Sequence, residues 1–212
     1  LLREATGVPA NKVYVVGLTG GTGCGKSEAA RYLASLGAKH IDADAISRAL
    51  TADGGAAIDA IRQTFGDEIF HENGSLNRRA MHDLVFSSVA HKRALEGIIH
   101  PMVQRCMVDE IEAAAGEGYQ VAILDVPLLF ECGMDVLCDE TWTMSADVKI
   151  QLERICERDL LTEDQAAARI AGQMSMEERN ARASRVINSA RPIEKTRAEL
   201  SQLYQQLLRR IG

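Results

Sequence analysis

Val13-Tyr-Val-Val-Gly-Leu-Thr-Gly-Gly-Thr-Gly-Cys-Gly-Lys-Ser27 passes from strand to glycine loop to helix without a gap. Val13 to Leu18 is a short apolar run with β-branched residues, the pattern of a strand buried on both faces. Gly20, Gly21, Gly23 and Gly25 follow, and from Lys26 to Leu33 the apolar spacing turns helical. Between Gly20 and Ser27 the spacing is G-x-x-x-x-G-K-S, the phosphate-binding P-loop. Its glycines accept positive φ and let backbone N–H groups approach phosphate oxygens with no Cβ in the way. The helix that follows aims its unpaired N–H groups and positive dipole end at the same anion. The phosphate cradle is therefore expected from Gly21, Thr22, Gly23, Cys24, Gly25, Lys26 and Ser27, with Lys26 bridging the β- and γ-phosphates and the Ser27 hydroxyl on a magnesium ion.

Length and composition narrow what surrounds this loop. A chain of 212 residues with 46% hydrophobic and 25% charged residues fits one globular domain with room for an inserted subdomain. No apolar run approaches the length of about 18 residues that a membrane span needs. A net charge of −6 argues against wholesale binding to nucleic acid, so a polyanionic substrate must be gripped by a local cluster of arginines. Five cysteines, with no C-x-x-C pair, suggest neither a zinc site nor a disulfide framework and fit a reduced, cytoplasmic setting. Cys24 reads as a small filler, the alternative being a redox-sensitive thiol whose pKa the helix N-terminus lowers. Residues 1–12 read as a loose tail without signal-peptide character. Residues 13–212 read as a single unit, with a helical substrate region at about 45–118, a lid region at about 147–185, and a monomer or weak homo-oligomer as the assembly.

Gly37 to Asp42 reads as a turn and a short second strand ending in a carboxylate, followed by Asp44 and Arg48. In an open α/β sheet, ligands lie at the carboxyl ends of strands, where this cluster falls. The alternative is that Asp42 or Asp44 caps the next helix. Residues 56–115 look mainly helical; Leu76-Asn77-Arg78 opens a helix, and His100-Pro101 is expected to break one and start another. Arg78 could equally be a surface charge, and His100 a structural hydrogen bond at the break. Val121 to Asp125 is a second buried strand ending in an acid, and Pro127 and Leu128 follow. Asp125 is expected to approach the magnesium shell. Thr141 to Met144 and Val186 to Asn188 are weaker strands, and Pro192 opens a terminal amphipathic helix.

Val148 to Cys156 marks a helix with Arg154 and Arg158 at i and i+4, a spacing that sets both guanidinium groups on one face with room for an anion between them. Thr162 to Gln165 looks like a capping box with an acid in place of a strict match. Arg169, and then Arg179, Arg182 and Arg185, extend the basic series, which reads as a lid over phosphates.

Taken in order, Gly17 to Ser27, Ile41-Asp-Ala-Asp-Ala-Ile-Ser-Arg48, Leu76 to Arg78, His100-Pro101, Leu124-Asp-Val-Pro-Leu-Leu-Phe-Glu131 and Arg154 through Gln173 resemble the dephospho-coenzyme A kinase family over nearly the whole chain. The P-loop is shared by many families; the segments at 41–48 and 124–131 are far more specific. The resemblance implies a P-loop kinase fold, a parallel sheet flanked by helices with a helical substrate region and a lid. It also implies ATP-dependent phosphorylation of the ribose 3′-hydroxyl of dephospho-CoA, the last step of coenzyme A synthesis. Asp44 is then the group that orients and deprotonates the hydroxyl, Lys26, Arg154 and Arg158 neutralise the phosphates, and Asp42, Arg48, Arg78, His100, Pro127 and Leu128 hold the acceptor. Ser27 and Asp125 fall to the magnesium ion. Thr22, Cys24 and Glu28 stand where the family more often has isoleucine, serine and threonine, and Ser184 replaces a frequent aspartate. Competing readings are another small-molecule kinase, for nucleoside monophosphates or a sugar acid, and a GTP-dependent switch. The switch would need an Asn-Lys-x-Asp segment after the loop, and the chain has none.

Overall fold

The computed structural model describes residues 13–212, so the tail expected over residues 1–12 lies outside the described residues. Strand β1, Tyr14–Gly20, is buried at every position after Tyr14 and lies at the centre of a five-stranded sheet. It runs parallel to β3, Val121–Asp125, on one side and to β4, Glu140–Ser145, on the other. Outside these lie β2, Lys39–Asp42, next to β3, and β5, Arg185–Asn188, parallel to β4, giving the order β2-β3-β1-β4-β5. The chain thus moves to one side of β1 and returns to the other, which makes the carboxyl end of β1 the topological switch point where such sheets bind ligands.

Gly17 shows why the centre of the sheet reads as it does. A Cβ there would stand 2.5 Å from Cys138 Sγ and 2.9 Å from Leu129 Cδ2. Helix α1, Lys26–Ser35, lays Ala29, Ala30 and Leu33 on the sheet. They join Leu18, Ile123, Trp142 and Ile187, together with Leu200, Tyr204 and Leu207 of the terminal helix, in one apolar core.

The chain divides into two compact units, Asp42–Asp109 and the remainder. The smaller holds α2, Ala43–Leu50; α3, Ile58–Phe65, with Ile58, Ile61 and Phe65 buried; and α4, Arg78–Ser87, whose cap residue Asn77 accepts from the Ala80 N–H at 3.0 Å. The break expected at His100-Pro101 does not occur, because α5, Val89–Gly116, is one 28-residue helix with Pro101 inside it. Proline removes one backbone donor, yet the buried stripe Ile99, Val103, Met107, Ile111 carries on at helical spacing past it, and burial outweighs the missing bond.

The larger unit adds α6, Val148–Asp159; α7, Glu163–Ala171; α8, Met176–Arg182; and α9, Ile193–Ile211. The start of α7 is a complete capping box and not an approximate one. Thr162 Oγ1 accepts from the Gln165 N–H at 3.3 Å, and Gln165 Oε1 accepts from the Thr162 N–H at 3.0 Å. The relevant position is Gln165, which satisfies the motif, and not the acids between.

Candidate active site

The phosphate loop is shaped by two left-handed glycines, Gly23 at φ 83° and Gly25 at φ 78°. At Gly23 a Cβ would also stand 2.8 Å from the Gln151 carbonyl oxygen of α6, so the residue is required twice over. Gly25 is the cap residue of α1, and no side chain among the described residues bonds to the N-terminal amides from that position. Those amides therefore remain available to an anion.

The loop carbonyls are tied back from behind. Arg154 Nη1 donates to Gly23 O at 3.1 Å and Arg154 Nη2 to Ser189 O at 2.7 Å. The buried Ser189 hydroxyl donates to Cys24 O at 2.7 Å. With the Cys24 carbonyl drawn toward the end of β5, the N–H of the same peptide, that of Gly25, is turned to the other side, whereas the Cys24 N–H closes a turn on Gly21 O at 3.0 Å. Cys24 is buried, and burial pushes its thiol above the usual range, against the lowering expected from the helix N-terminus. Its filler role is what the environment supports.

Lys26, at the first turn of α1, is ion-paired with Asp125 at the end of β3. The other Asp125 oxygen faces His40 Nε2 at 3.1 Å. Burial pushes the Asp125 carboxyl up, but the His40 hydrogen bond and the Lys26 charge together hold it below the usual carboxylate range. His40 escaped the sequence reading; a polar residue one step inside a strand beside an acid-ended strand was its only signal. Ser27 is exposed at the mouth of the loop. Among the described residues no three His, Cys, Asp or Glu side chains gather as a metal cage. The Ser27 hydroxyl suits magnesium, which keeps most of its waters and is held largely by substrate phosphates.

After β3 the chain turns sharply, with the Val126 N–H on Leu18 O at 3.0 Å and the Thr19 hydroxyl on Pro127 O at 3.0 Å. Leu128 is left 38% exposed beyond the turn. On the outer side of α1 a cavity of about 220 Å³ is bounded by Gly25, Glu28, Tyr32, Arg154, Ser189 and Arg197. Glu28 is neutralised by Arg197 and by Arg31 at 2.9 Å, so this acid does not set a bare negative charge against the phosphates.

The arginine pair of α6 divides. Arg154 reaches the loop, whereas Arg158 forks on Asp159, with Nε at 2.7 Å and Nη2 at 2.8 Å, and Arg169 shares the same carboxylate at 2.6 Å. The two guanidinium groups have separate acceptors, so no shared anion is needed to relieve their repulsion. Arg179, read from sequence as part of the basic lid, is 4% exposed. Gln173, beyond α7, accepts from the Thr22 N–H at 3.0 Å.

Within the smaller unit, Asp42 is the cap of α2, its side chain accepting from the Ala45 N–H at 3.0 Å, with Arg48 3.8 Å away. Capping, weighed as the alternative for this acid, is thus its observed role. Asp44 lies in the first turn of the same helix, exposed. Arg78 donates to the Thr51 hydroxyl at 3.3 Å and the Thr51 carbonyl at 3.2 Å. Arg78 and His100 line a second cavity of about 310 Å³, whose apolar wall includes Ile61, Met81, Val85 and Ile99. Arg78 and His100 are thereby brought to one cavity.

A parallel sheet whose strand order reverses at β1, a glycine loop at the end of that strand and a lysine at the helix start define a P-loop kinase. A family model for dephospho-CoA kinase matches residues 14–194. A dephospho-CoA kinase of Aromatoleum aromaticum is 42% identical over 200 residues, covering 92% of this chain and 94% of that one. The chain belongs to the dephospho-CoA kinase family. A crystal structure from Thermus thermophilus superposes with a TM-score of 0.80 at 29% identity, over 93% of this chain and 99% of that one. Dephospho-CoA kinase from Campylobacter jejuni gives a TM-score of 0.68 at 24% identity, over 91% and 96%, which speaks for the fold.

Proposed function

We propose that this chain transfers the terminal phosphoryl group of ATP to the ribose 3′-hydroxyl of dephospho-CoA, giving CoA and ADP. The observation that carries the proposal is the loop itself: Arg154 and Ser189 hold its Gly23 and Cys24 carbonyls, and the amides from Gly25 into the start of α1 have no side-chain cap and are left for a polyphosphate, in a chain of this family. Phosphoryl transfer asks for positioning and charge neutralisation more than for covalent chemistry. The amides of residues 21–27 hold the triphosphate, and Lys26 exchanges its partner Asp125 for the β- and γ-phosphates. Ser27, with Asp125 close to the metal shell, holds magnesium, which when bound neutralises charge on the phosphate oxygens. Asp44 orients the 3′-hydroxyl and takes its proton. Arg78, His100 and Arg48 of the smaller unit bind the acceptor, and Arg154 and Arg158 serve the phosphates from the lid segment.

Several features support this reading: the family match over residues 14–194, the loop geometry, and a polar-rimmed apolar cavity of about 310 Å³ suited to an elongated acceptor. Among the described residues no helix is long and apolar enough to cross a membrane. The test is ADP release in a coupled assay with dephospho-CoA as acceptor, and mass spectrometry of the product. Turnover with dephospho-CoA and a product heavier by one phosphoryl group support the proposal. Faster turnover with a nucleoside monophosphate or a sugar acid would replace it with another small-molecule kinase activity.

A further inference from the structure

Gln173 lies in the loop between α7 and α8, and its side-chain carbonyl reaches the phosphate loop. Gln173 Oε1 accepts from the Thr22 N–H at 3.0 Å and from the Thr22 hydroxyl at 3.3 Å. A backbone N–H only donates, so the amide oxygen must face Thr22, and the –NH₂ group occupies the other branch of the amide.

This placement is held from several sides. The next residue, Met174, donates its N–H to Glu131 Oε1 at 3.2 Å and accepts at its carbonyl from Arg179 Nη2 at 2.6 Å. Arg179 is 4% exposed, and its Nε has no hydrogen-bond partner among the described residues. Its Nη1 stands 3.2 Å from where a Cβ on Gly21 would be. A buried guanidinium beside the phosphate loop is costly unless an anion shares its field. The segment carrying Gln173 therefore adds positive potential to the same end of the loop that Gln173 touches.

Within the loop, the amides at Gly25 to Ser27 belong to the helix start and serve the phosphates nearest α1. Thr22 lies on the strand side, beyond Gly23, and serves the phosphate farthest from that helix. We propose that Gln173 distinguishes ATP from ADP: its carbonyl stands at the Thr22 N–H where an oxygen of the terminal phosphate docks. The arriving phosphate displaces that carbonyl and receives a hydrogen bond from the Gln173 –NH₂. A neutral amide can do both because it carries an acceptor and donors on one rotatable group. ADP, lacking the third phosphate, leaves the Gln173 to Thr22 bond in place. The inference rests on the loop being an ATP site.

The test uses the full chain with a non-hydrolysable ATP analogue and ADP, by calorimetry and by hydrogen exchange at the Thr22 amide. Gln173→Glu retains an acceptor for Thr22 but has no donor and repels phosphate. It is expected to weaken analogue binding by about tenfold or more while ADP binding stays within about twofold. In the unchanged protein, Thr22 exchange slows further with the analogue and not with ADP. Gln173→Met is expected to speed that exchange without nucleotide, and the analogue to restore protection. Equal weakening of both nucleotides, or equal Thr22 protection by both, overturns the inference and leaves the ATP site standing. Failure of the unchanged protein to bind either nucleotide overturns the site and the inference together. The exchange arm on the unchanged protein decides the matter even if a variant does not fold.

Discussion

The Lys26 ammonium and the Asp125 carboxylate are ion-paired across the carboxyl end of the sheet, and His40 takes the second carboxylate oxygen at 3.1 Å. The loop lysine is thus held in place by the strand next to β1. Asp125 has a depressed pKa in the folded chain, so its contribution to stability is present above the unfolded value and is lost as pH falls through the folded one. Asp125→Asn is expected to lower stability near neutral pH by about 3 kcal/mol or more, as breaking a buried pair does. In urea unfolding followed from pH 7 downward, the gap to the unchanged protein should narrow as the medium becomes acid. A gap that is independent of pH would remove the pair from the stability account.

Asp44→Asn keeps the shape of the first turn of α2 and removes the carboxylate proposed as the proton acceptor. Turnover is expected to fall by about 10² to 10⁴-fold with ATP affinity retained. Steady-state kinetics with a parallel nucleotide titration check this, and unchanged turnover would take Asp44 out of the mechanism.

Arg154 and Arg158 should separate in kinetics as they do in space. Arg154 already bonds to Gly23 O and Ser189 O, so Arg154→Ala is expected to loosen the loop and weaken ATP binding by about tenfold. Arg158 is occupied by Asp159, so Arg158→Ala is expected to leave ATP affinity nearly intact and to act on kcat. The same effect from both variants on affinity and on kcat would refute this division.

Pro101 leaves α5 one backbone hydrogen bond short in its interior. Pro101→Ala restores a donor and is expected to stabilise the chain by about 1–3 kcal/mol, read as a rise in Tm. Destabilisation would mean that the proline ring packs in a way alanine does not reproduce.

Much of the fold could be read before any coordinates. The buried strands read at 13–18 and 121–125, the glycine loop, the helix starts at Leu76-Asn77 and Thr162 and the stripe of the last helix all rest on neighbours within a few positions. Local chemistry of that kind is written directly in residue order. At Pro101 the local rule failed, because the apolar face continuing past it is decided by what packs there. The site divided along the same line. Lys26 and Ser27 are dictated by the loop motif, but the different partners of Arg154 and Arg158 are not, since both satisfy the same helical spacing.

Residue order by itself determined a parallel α/β sheet with a phosphate cradle at the end of its first strand, because hydrophobic period and glycine placement act over a handful of residues. Only the tertiary structure decided that Arg154 closes on Gly23, 131 positions away, and that Gln173 closes on Thr22, 151 positions away. It likewise decided that His40 stands against Asp125 and that Arg179 is buried. Such contacts depend on which surfaces the crossover helices bring together, and that choice is made by the burial of the whole core.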